Sequence, residues 1–319
     1  MIVTNNSIHQ LTIPTPFAVG DVHVYLLKGD VLSLVDAGVN TDEAWHALVA
    51  QLSKIGYAPH DIEQIILTHH HPDHTGLIER FSRAERISAH ENVDVWLTRE
   101  EAYFLHYEQF FRDFFVLTGV PDQFSDFLEN IRSPLRFAGR GKLTSTLKEG
   151  DRLPGHEAYQ VIETKGHAQS HLSFLGDDGT FIGGDHLLKH ISPNPLIEPP
   201  LLGETNRPKP LLQYRSSLEK CFDLPINVVL PGHGEKFTSV NEIIQERLVK
   251  QESRAEKVLQ LVKENAETPY RLCEKIFPRH FAKQIDLTMS ETIGQLDYLE
   301  AEGLVTKTIE DGVIYYHAI

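Results

Sequence analysis

Four side chains of the kind that bind metals fall within six residues: His69, His71, Asp73 and His74 in the run His69-His70-His71-Pro72-Asp73-His74. Imidazole with carboxylate suits zinc, iron or manganese, whereas magnesium and calcium take mainly oxygen. The run follows Ile65-Ile66-Leu67-Thr68, which reads as a short apolar strand, and a helix is expected to begin at Thr75-Gly76. A chain leaving a strand aims alternate side chains the same way, so His69 and His71 would enter one pocket. Asp73 and His74 would come round the turn towards a neighbouring position. Three further positions share this placement at the ends of expected strands: Gly166-His167, Gly183-Gly184-Asp185 and Pro231-Gly232-His233-Gly234. The glycine beside each lets the backbone bend close to a site. The chemistry such a set supports is hydrolysis, because a bound divalent ion lowers the pKa of water towards ~7 and polarises a carbonyl or phosphoryl oxygen.

The elements that would carry these groups alternate along the first two thirds of the chain. Ile8 to Ile13, Val22 to Leu27, Val31 to Val35, Arg86 to Ala89, Leu143 to Leu147, Tyr159 to Thr164, Leu172 to Leu175, Thr180 to Ile182 and Asn227 to Leu230 read as strands. A helix is expected from Thr41, with Trp45, Leu48, Val49, Leu52 and Ile55 on one face and Gly56 as its stop. Between Glu91 and Arg140 the pattern changes to aromatic-rich inserted helices, which pack on the main body and also suit a cap over an apolar substrate. Beyond Ser239 the pattern is helical: one long amphipathic helix through Ile244 and Val262, a second from Tyr270 to Phe277, and a third through Met289, Ile293, Leu296 and Leu299. A hairpin with an Asp311-Gly312 turn closes the chain, giving a winged-helix pattern.

Taken together, these motifs resemble the metallo-β-lactamase superfamily in content and order. Val35-Asp36-Ala37-Gly38, Thr68 to His74, Gly166 to His171, Gly183-Gly184-Asp185-His186 and Pro231 to Glu235 match its successive motifs over roughly residues 7 to 240. The resemblance implies an α+β fold, a four-layer αββα sandwich, in a catalytic domain at 1–240 with a helical insertion at about 91–140. A winged-helix-like domain would occupy 241–319. It implies one metal ion on His69, His71 and His167, a second on Asp73, His74 and His233, and Asp185 bridging them. A hydroxide shared by the two ions would be the nucleophile, oriented by Asp73. Asp36 would steady a histidine ligand from behind, and His171 would play a similar supporting part, although Ala168-Gln169-Ser170 replaces the commoner small-residue and glycine pattern. His186 and His190 lie on a loop expected to face substrate, where either would donate a proton or bind a carboxylate. His90 and His106 are not taken as ligands. Zinc is the default metal, with iron and manganese satisfying the same donors.

Composition narrows the function. Thirty basic against 45 acidic residues give a net charge of −15, which repels nucleic acid and anionic membranes. The two cysteines, Cys221 and Cys273, offer neither a disulfide framework nor a cysteine zinc site. Met1 to Asn6 lack the basic and apolar regions of an export signal, so a cytoplasmic protein is expected. The winged-helix pattern resembles that of endoribonucleases in the same superfamily, making single-stranded RNA cleavage the main competitor. Yet Thr288 to Glu302, the helix that would read nucleic acid, has no Lys or Arg, and Ile244 to Ile319 hold ten basic and thirteen acidic residues. The expectation is therefore a hydrolase of a small ester, thioester or lactone with an apolar group. The C-terminal segment would serve packing or homodimer contact, and no membrane partner is expected. A mononuclear iron dioxygenase and a non-catalytic winged-helix regulator are the remaining alternatives.

Overall fold

The computed structural model describes residues 8–319; the stretch Met1 to Asn6 read above lies outside them. Strands β1 (Ile8–Ile13), β2 (Val22–Lys28), β3 (Leu32–Val35), β4 (Gln64–Ile66), β5 (Arg86–Ala89) and β6 (Ser145–Thr146) form one sheet in that order. Its pairs are antiparallel up to β3 and parallel from there on. A second sheet runs β11 (Val228–Pro231), β10 (Thr180–Gly184), β9 (Leu172–Gly176), β8 (His156–Glu163), β7 (Arg152–Leu153), with only β10 and β11 parallel. The helices are α1 (Asp42–Lys54), α2 (Pro72–Thr75), α3 (Asp94–Thr98), α4 (Glu101–Leu117), α5 (Ser125–Glu129), α6 (Pro210–Phe222), α7 (Val240–Glu264), α8 (Pro269–Ile276) and α9 (Ile285–Ala301). A hairpin of β12 (Val305–Glu310) and β13 (Val313–Ala318) ends the chain.

Strand alternation divides the interior into layers. On β2, Val22, Val24 and Leu26 face the core they share with Leu48 and Leu52 of α1. Tyr25 and Leu27 point the other way, into an inter-sheet core with Phe174 and Ile182. Phe181 and Leu175 leave the far side of the second sheet to meet Leu218 of α6 and Ile244 of α7. The result is the expected α-β-β-α sandwich, with each fully buried Leu contributing roughly 1.5–3 kcal/mol. A further core joins Phe111, Phe114 and Phe115 of α4 to Val258, Leu272 and Leu296 of α7, α8 and α9. The aromatic insertion and the C-terminal segment thus share one interior.

Several expectations need correction. No helix begins at Thr75-Gly76; α2 covers Pro72–Thr75, with proline in its first turn, where the missing N–H costs nothing. Gly76 follows it because the backbone of Val39 and Asn40 passes where a Cβ would sit. Leu143 to Leu147 shrinks to the two-residue β6, and the strand before the histidine run stops at Ile66. Helix α6 was not anticipated, although its buried Leu211, Tyr214, Leu218 and Cys221 repeat at helical spacing.

The order α8, α9, hairpin follows the expected pattern, but α9 is enclosed on nearly every side. Its acidic residues serve internal pairs: Arg207 holds both oxygens of Asp297 at 2.7 Å, and Arg254 pairs with Glu291. None of the helices among the described residues is long and apolar enough to cross a membrane.

Candidate metal centre

Strand ends and the loops after them deliver the donors. Asp36 follows β3, His69 to His74 follow β4, Asp185 follows β10 and His233 follows β11, while His167 sits in the loop from β8 to β9. Parallel pairing of β3 with β4 and of β10 with β11 sends these ends to one rim of the sandwich. Asp36 adopts φ 63°, a left-handed conformation that aspartate tolerates better than most side chains. Gly232 is required by crowding, since a Cβ there would strike the Asp185 carboxylate.

Hydrogen bonds fix the rings. The Asp36 carboxylate accepts from the Thr68 amide (2.8 Å), the Thr68 hydroxyl (2.9 Å) and His74 Nδ1 (2.8 Å). Because the Thr68 proton is spent on Asp36, its oxygen accepts from His69 Nδ1 at 2.9 Å. His167 Nδ1 donates to the Asn194 carbonyl (3.0 Å) and His233 Nδ1 to that of Asp21 (2.8 Å). Four imidazoles therefore direct Nδ1 to an acceptor and turn Nε2 inward, as metal-ligating histidines do.

At the centre, His71 Nδ1 lies 2.9 Å from His69 Nε2 and 3.0 Å from His167 Nε2. One ring proton cannot satisfy three nitrogens, so lone pairs face one another unless a cation lies among them. Asp185 reaches both halves of the cluster. Its Oδ1 is 3.5 Å from His74 Nε2, and its Oδ2 is 3.5 Å from both His167 Nε2 and His233 Nε2. Asp73 Oδ2 is 3.3 Å from His233 Nε2. Donor atoms of His69, His71 and His167, of His69, His74 and Asp185, and of Asp73, His74 and His233 lie within 4.8 Å of one another in each group. His74 Nε2 and Asp185 Oδ1 are buried without a hydrogen-bond partner among the described residues. Such orphans are costly unless something binds them.

Electrostatics favour cations. Burial and the neighbouring histidines hold His69 and His71 well below the ordinary imidazole range, leaving them neutral donors. For Asp185 and Asp73 burial works towards protonation, but His74 and His233 overcome it and both stay ionised. Burial likewise opposes charge on His233, yet Asp185 and Asp73 push its pKa up to about 10. The carboxylates thus call for positive charge at this spot, which metal ions in place of ring protons would supply.

His171 lies behind the cluster. The Asp185 amide donates to its Nε2 at 3.0 Å, and its Nδ1 donates to Thr164 Oγ1 at 2.7 Å. The chain continues through Ser173 to the Gly183 carbonyl, so His171 holds the backbone that presents Asp185. His186 and His190 do not line the cavity over the cluster. His186 is fully buried against Tyr214, and His190 is exposed beside Glu235 at 3.2 Å. Chain direction after Asp185 explains this: the segment dives beneath α7, whose Arg247 holds the carbonyls of Leu188 and Ile191. Neither His90 nor His106 approaches the centre; they bond to the Asn92 amide and the Pro200 carbonyl.

A cavity of about 500 Å³ opens on the cluster, with His71, Asp73, His167, Asp185 and His233 on its floor. Trp96, Tyr107, Phe111 and Phe127 from the insertion form much of its wall, joined by Leu188 and Ile197. His70 also lines it, its ring stacked 4.1 Å from that of Trp96, and burial lowers its pKa to about 3. Sequence reasoning missed Glu198, a buried wall carboxyl that accepts from the Gln169 amide at 2.8 Å. Burial raises its pKa to about 7. A lone glutamate in a proline-rich loop gives no pattern by which to find it.

Known proteins share the sequence and the fold. Residues 18–233 match the family model of the metallo-beta-lactamase superfamily. The probable metallo-hydrolase YqjP of Bacillus subtilis (strain 168) is 40% identical over 315 residues, 98% of each chain. The metallo-beta-lactamase family protein TTHA1429 from Thermus thermophilus superposes with a TM-score of 0.82 at 28% identity, over 98% of both chains. A beta-lactamase domain protein from Burkholderia ambifaria shares the fold, with a TM-score of 0.77 at 22% identity over 100% of this chain and 94% of its own. With its motifs on one rim of an αββα sandwich and a relative matched end to end, the chain belongs to the metallo-beta-lactamase superfamily of metal-dependent hydrolases.

Proposed function

We propose that the protein hydrolyses a small ester, thioester or lactone bearing an apolar group, with two divalent ions, zinc by default, at the cluster. The observation that carries this reading is the aromatic-walled cavity opening directly onto the inward-facing histidine and aspartate atoms. His69, His71 and His167 would hold one ion, and Asp73, His74 and His233 the other, with Asp185 touching both. Bound there, the ions supply Lewis acidity towards a carbonyl oxygen and bring the pKa of water towards ~7.

The chain's own residues do the rest. Asp73, on the floor, orients the attacking water and takes up its proton. The Asp36–Thr68 pair keeps His69 and His74 in the tautomer that offers Nε2 inward, and His171 holds the backbone of Asp185 in place. Trp96, Phe111 and Phe127 bind the apolar group and keep bulk water from the reacting bond. A role in reading nucleic acid is disfavoured by α9, which is enclosed and spends Glu291, Asp297 and Glu300 on internal pairs.

A panel of apolar thioesters, lactones, phosphodiesters and single-stranded RNA, assayed alongside metal analysis, tests the proposal. Turnover of the thioesters or lactones with about two ions per chain is expected. A single iron per chain would favour the dioxygenase reading, and cleavage of RNA alone would favour the nuclease.

A further inference from the structure

Behind the aromatic wall lies a second cavity, of about 380 Å³, which shares Phe104, Arg132 and Leu135 with the first. Four arginines line it, Arg99, Arg132, Arg136 and Arg140, against the two acids Glu79 and Glu101. Glu101 is paired with Arg132, while Glu79 accepts from the Arg140 amide at 2.9 Å and keeps its charge, which offsets part of that of Arg99. Arg132 is further matched by Glu108 at 2.6 Å. The guanidiniums of Arg136 and Arg140 have no carboxylate partner among the described residues. Arg136 stacks on Phe137 with its guanidinium carbon 4.7 Å from the ring centre.

The loop carrying this pair is braced. Arg99 sits in a left-handed backbone conformation, φ 56°, and its guanidinium donates to the carbonyls of Trp96 (2.8 Å), Leu135 (3.0 Å) and Ala138 (3.1 Å). Those bonds tie the insertion's α3 to the turn that presents Arg136 and Arg140. Two unmatched guanidiniums on a braced turn stand out in a chain of net charge −15, whose overall field would repel an anion. A fork of planar N–H donors fits carboxylate and phosphate oxygens.

We propose that Arg136 and Arg140 form an anion subsite that binds a carboxylate or phosphate carried at the far end of the substrate's apolar arm. The inference rests on the ester or thioester reading above and narrows its substrate to one with an anionic tail. The arm would run past the half-buried Leu135, where the two cavities adjoin, with the scissile bond over the histidine floor and the anion at the exposed arginine pair.

Binding and turnover test this separately. Calorimetric titration of the metal-loaded protein with a chain-length series of α,ω-dicarboxylates and matching monocarboxylates reads the subsite without any reaction. At the best-fitting length the dicarboxylate should bind ~10-fold or more tighter, as expected for charge-assisted hydrogen bonds. That advantage should shrink with added salt and collapse towards unity in R136A/R140A. The single variants R136Q and R140Q, each cutting it in part, stand in if the double variant does not fold. Carboxylates carrying an ω-phosphate in place of the second carboxylate decide which anion is preferred. Equal binding of mono- and dicarboxylates at every length, or an advantage that survives the substitutions, overturns the subsite. Matched neutral and ω-anionic thioesters then separate the two ideas. Discrimination in binding with no turnover of either sinks the hydrolytic reading alone, whereas turnover without discrimination sinks the subsite alone.

Discussion

The floor of the cavity comes from short motifs at strand ends, each a few residues long, whereas its wall draws on segments as far apart as Phe17, Trp96, Leu188 and Ser290. Floor residues are polar and held by named hydrogen bonds, with Nδ1 of His69, His74, His167 and His233 each given an acceptor. Most wall residues are apolar, and Tyr107, Phe111, Phe127 and Ile197 are held in one core with residues of α7, α8 and α9. Orientation to a fraction of an ångström is what a hydrogen-bonded floor supplies; shape and affinity are what a packed wall supplies. The floor should therefore be intolerant of single changes and the wall graded in its response.

The sharpest test of that division is Asp73→Ala. It should lower kcat by more than ~10²-fold, beyond what groups that merely support ligands usually cost, while circular dichroism stays native; unchanged turnover would remove Asp73 from the floor's chemistry. One step back, Asp36→Asn keeps a side chain that tolerates the left-handed backbone but removes the charge behind His74. A loss of ~10–100-fold in metal affinity or activity is expected, read by chelator competition. In the wall, Phe127→Ala should cost ~10-fold in kcat/KM for a long apolar ester and much less for a short one. An equal loss on both would mean that the wall positions the reaction as well as binding the arm.

Glu198→Gln is read in stability and leaves turnover least changed; it tests whether the wall's buried carboxyl is neutral in the folded chain. Its folded pKa, about 7, exceeds the unfolded glutamate value, so the folded state holds the extra proton between them. Stability therefore falls as pH rises through that window, roughly from the ordinary glutamate range to neutrality, and levels off above. The Gln variant lacks this slope. Its stability relative to the parent should rise by on the order of 1 kcal/mol per pH unit across the window, measured by urea unfolding. Parallel curves would place the Glu198 pKa near its normal value.

The same division explains what the sequence discloses. Metal-type residues at strand ends are dense, local signals, and their order carries the family resemblance that implies the layered fold; that Val24 and Leu26 face one core and Tyr25 and Leu27 another is not legible, because all four are apolar. The hydrogen bonds that the histidine rings donate to Thr68, Asp21 and Asn194 are invisible in sequence, because two of the acceptors are backbone carbonyls with no residue preference. His186 misleads for a related reason: its neighbour Asp185 points into the centre, and nothing in the sequence says that the chain then turns inward beneath α7. The aromatic residues of 91–140 announce burial but not what they bury against, and Glu198 has no pattern at all.

Because α4 buries Phe111, Phe114 and Phe115 against helices from the far end of the chain, the aromatic wall cannot be inherited piecemeal. A chimaera that takes its sandwich from one relative and its last eighty residues or so from another would mismatch the interior that backs Phe111, and the specificity of the parent would be lost with no catalytic residue touched. Divergence in preferred substrate among such proteins should then appear as paired drift, the insertion and the distant C-terminal helices changing together while the histidine runs stand still.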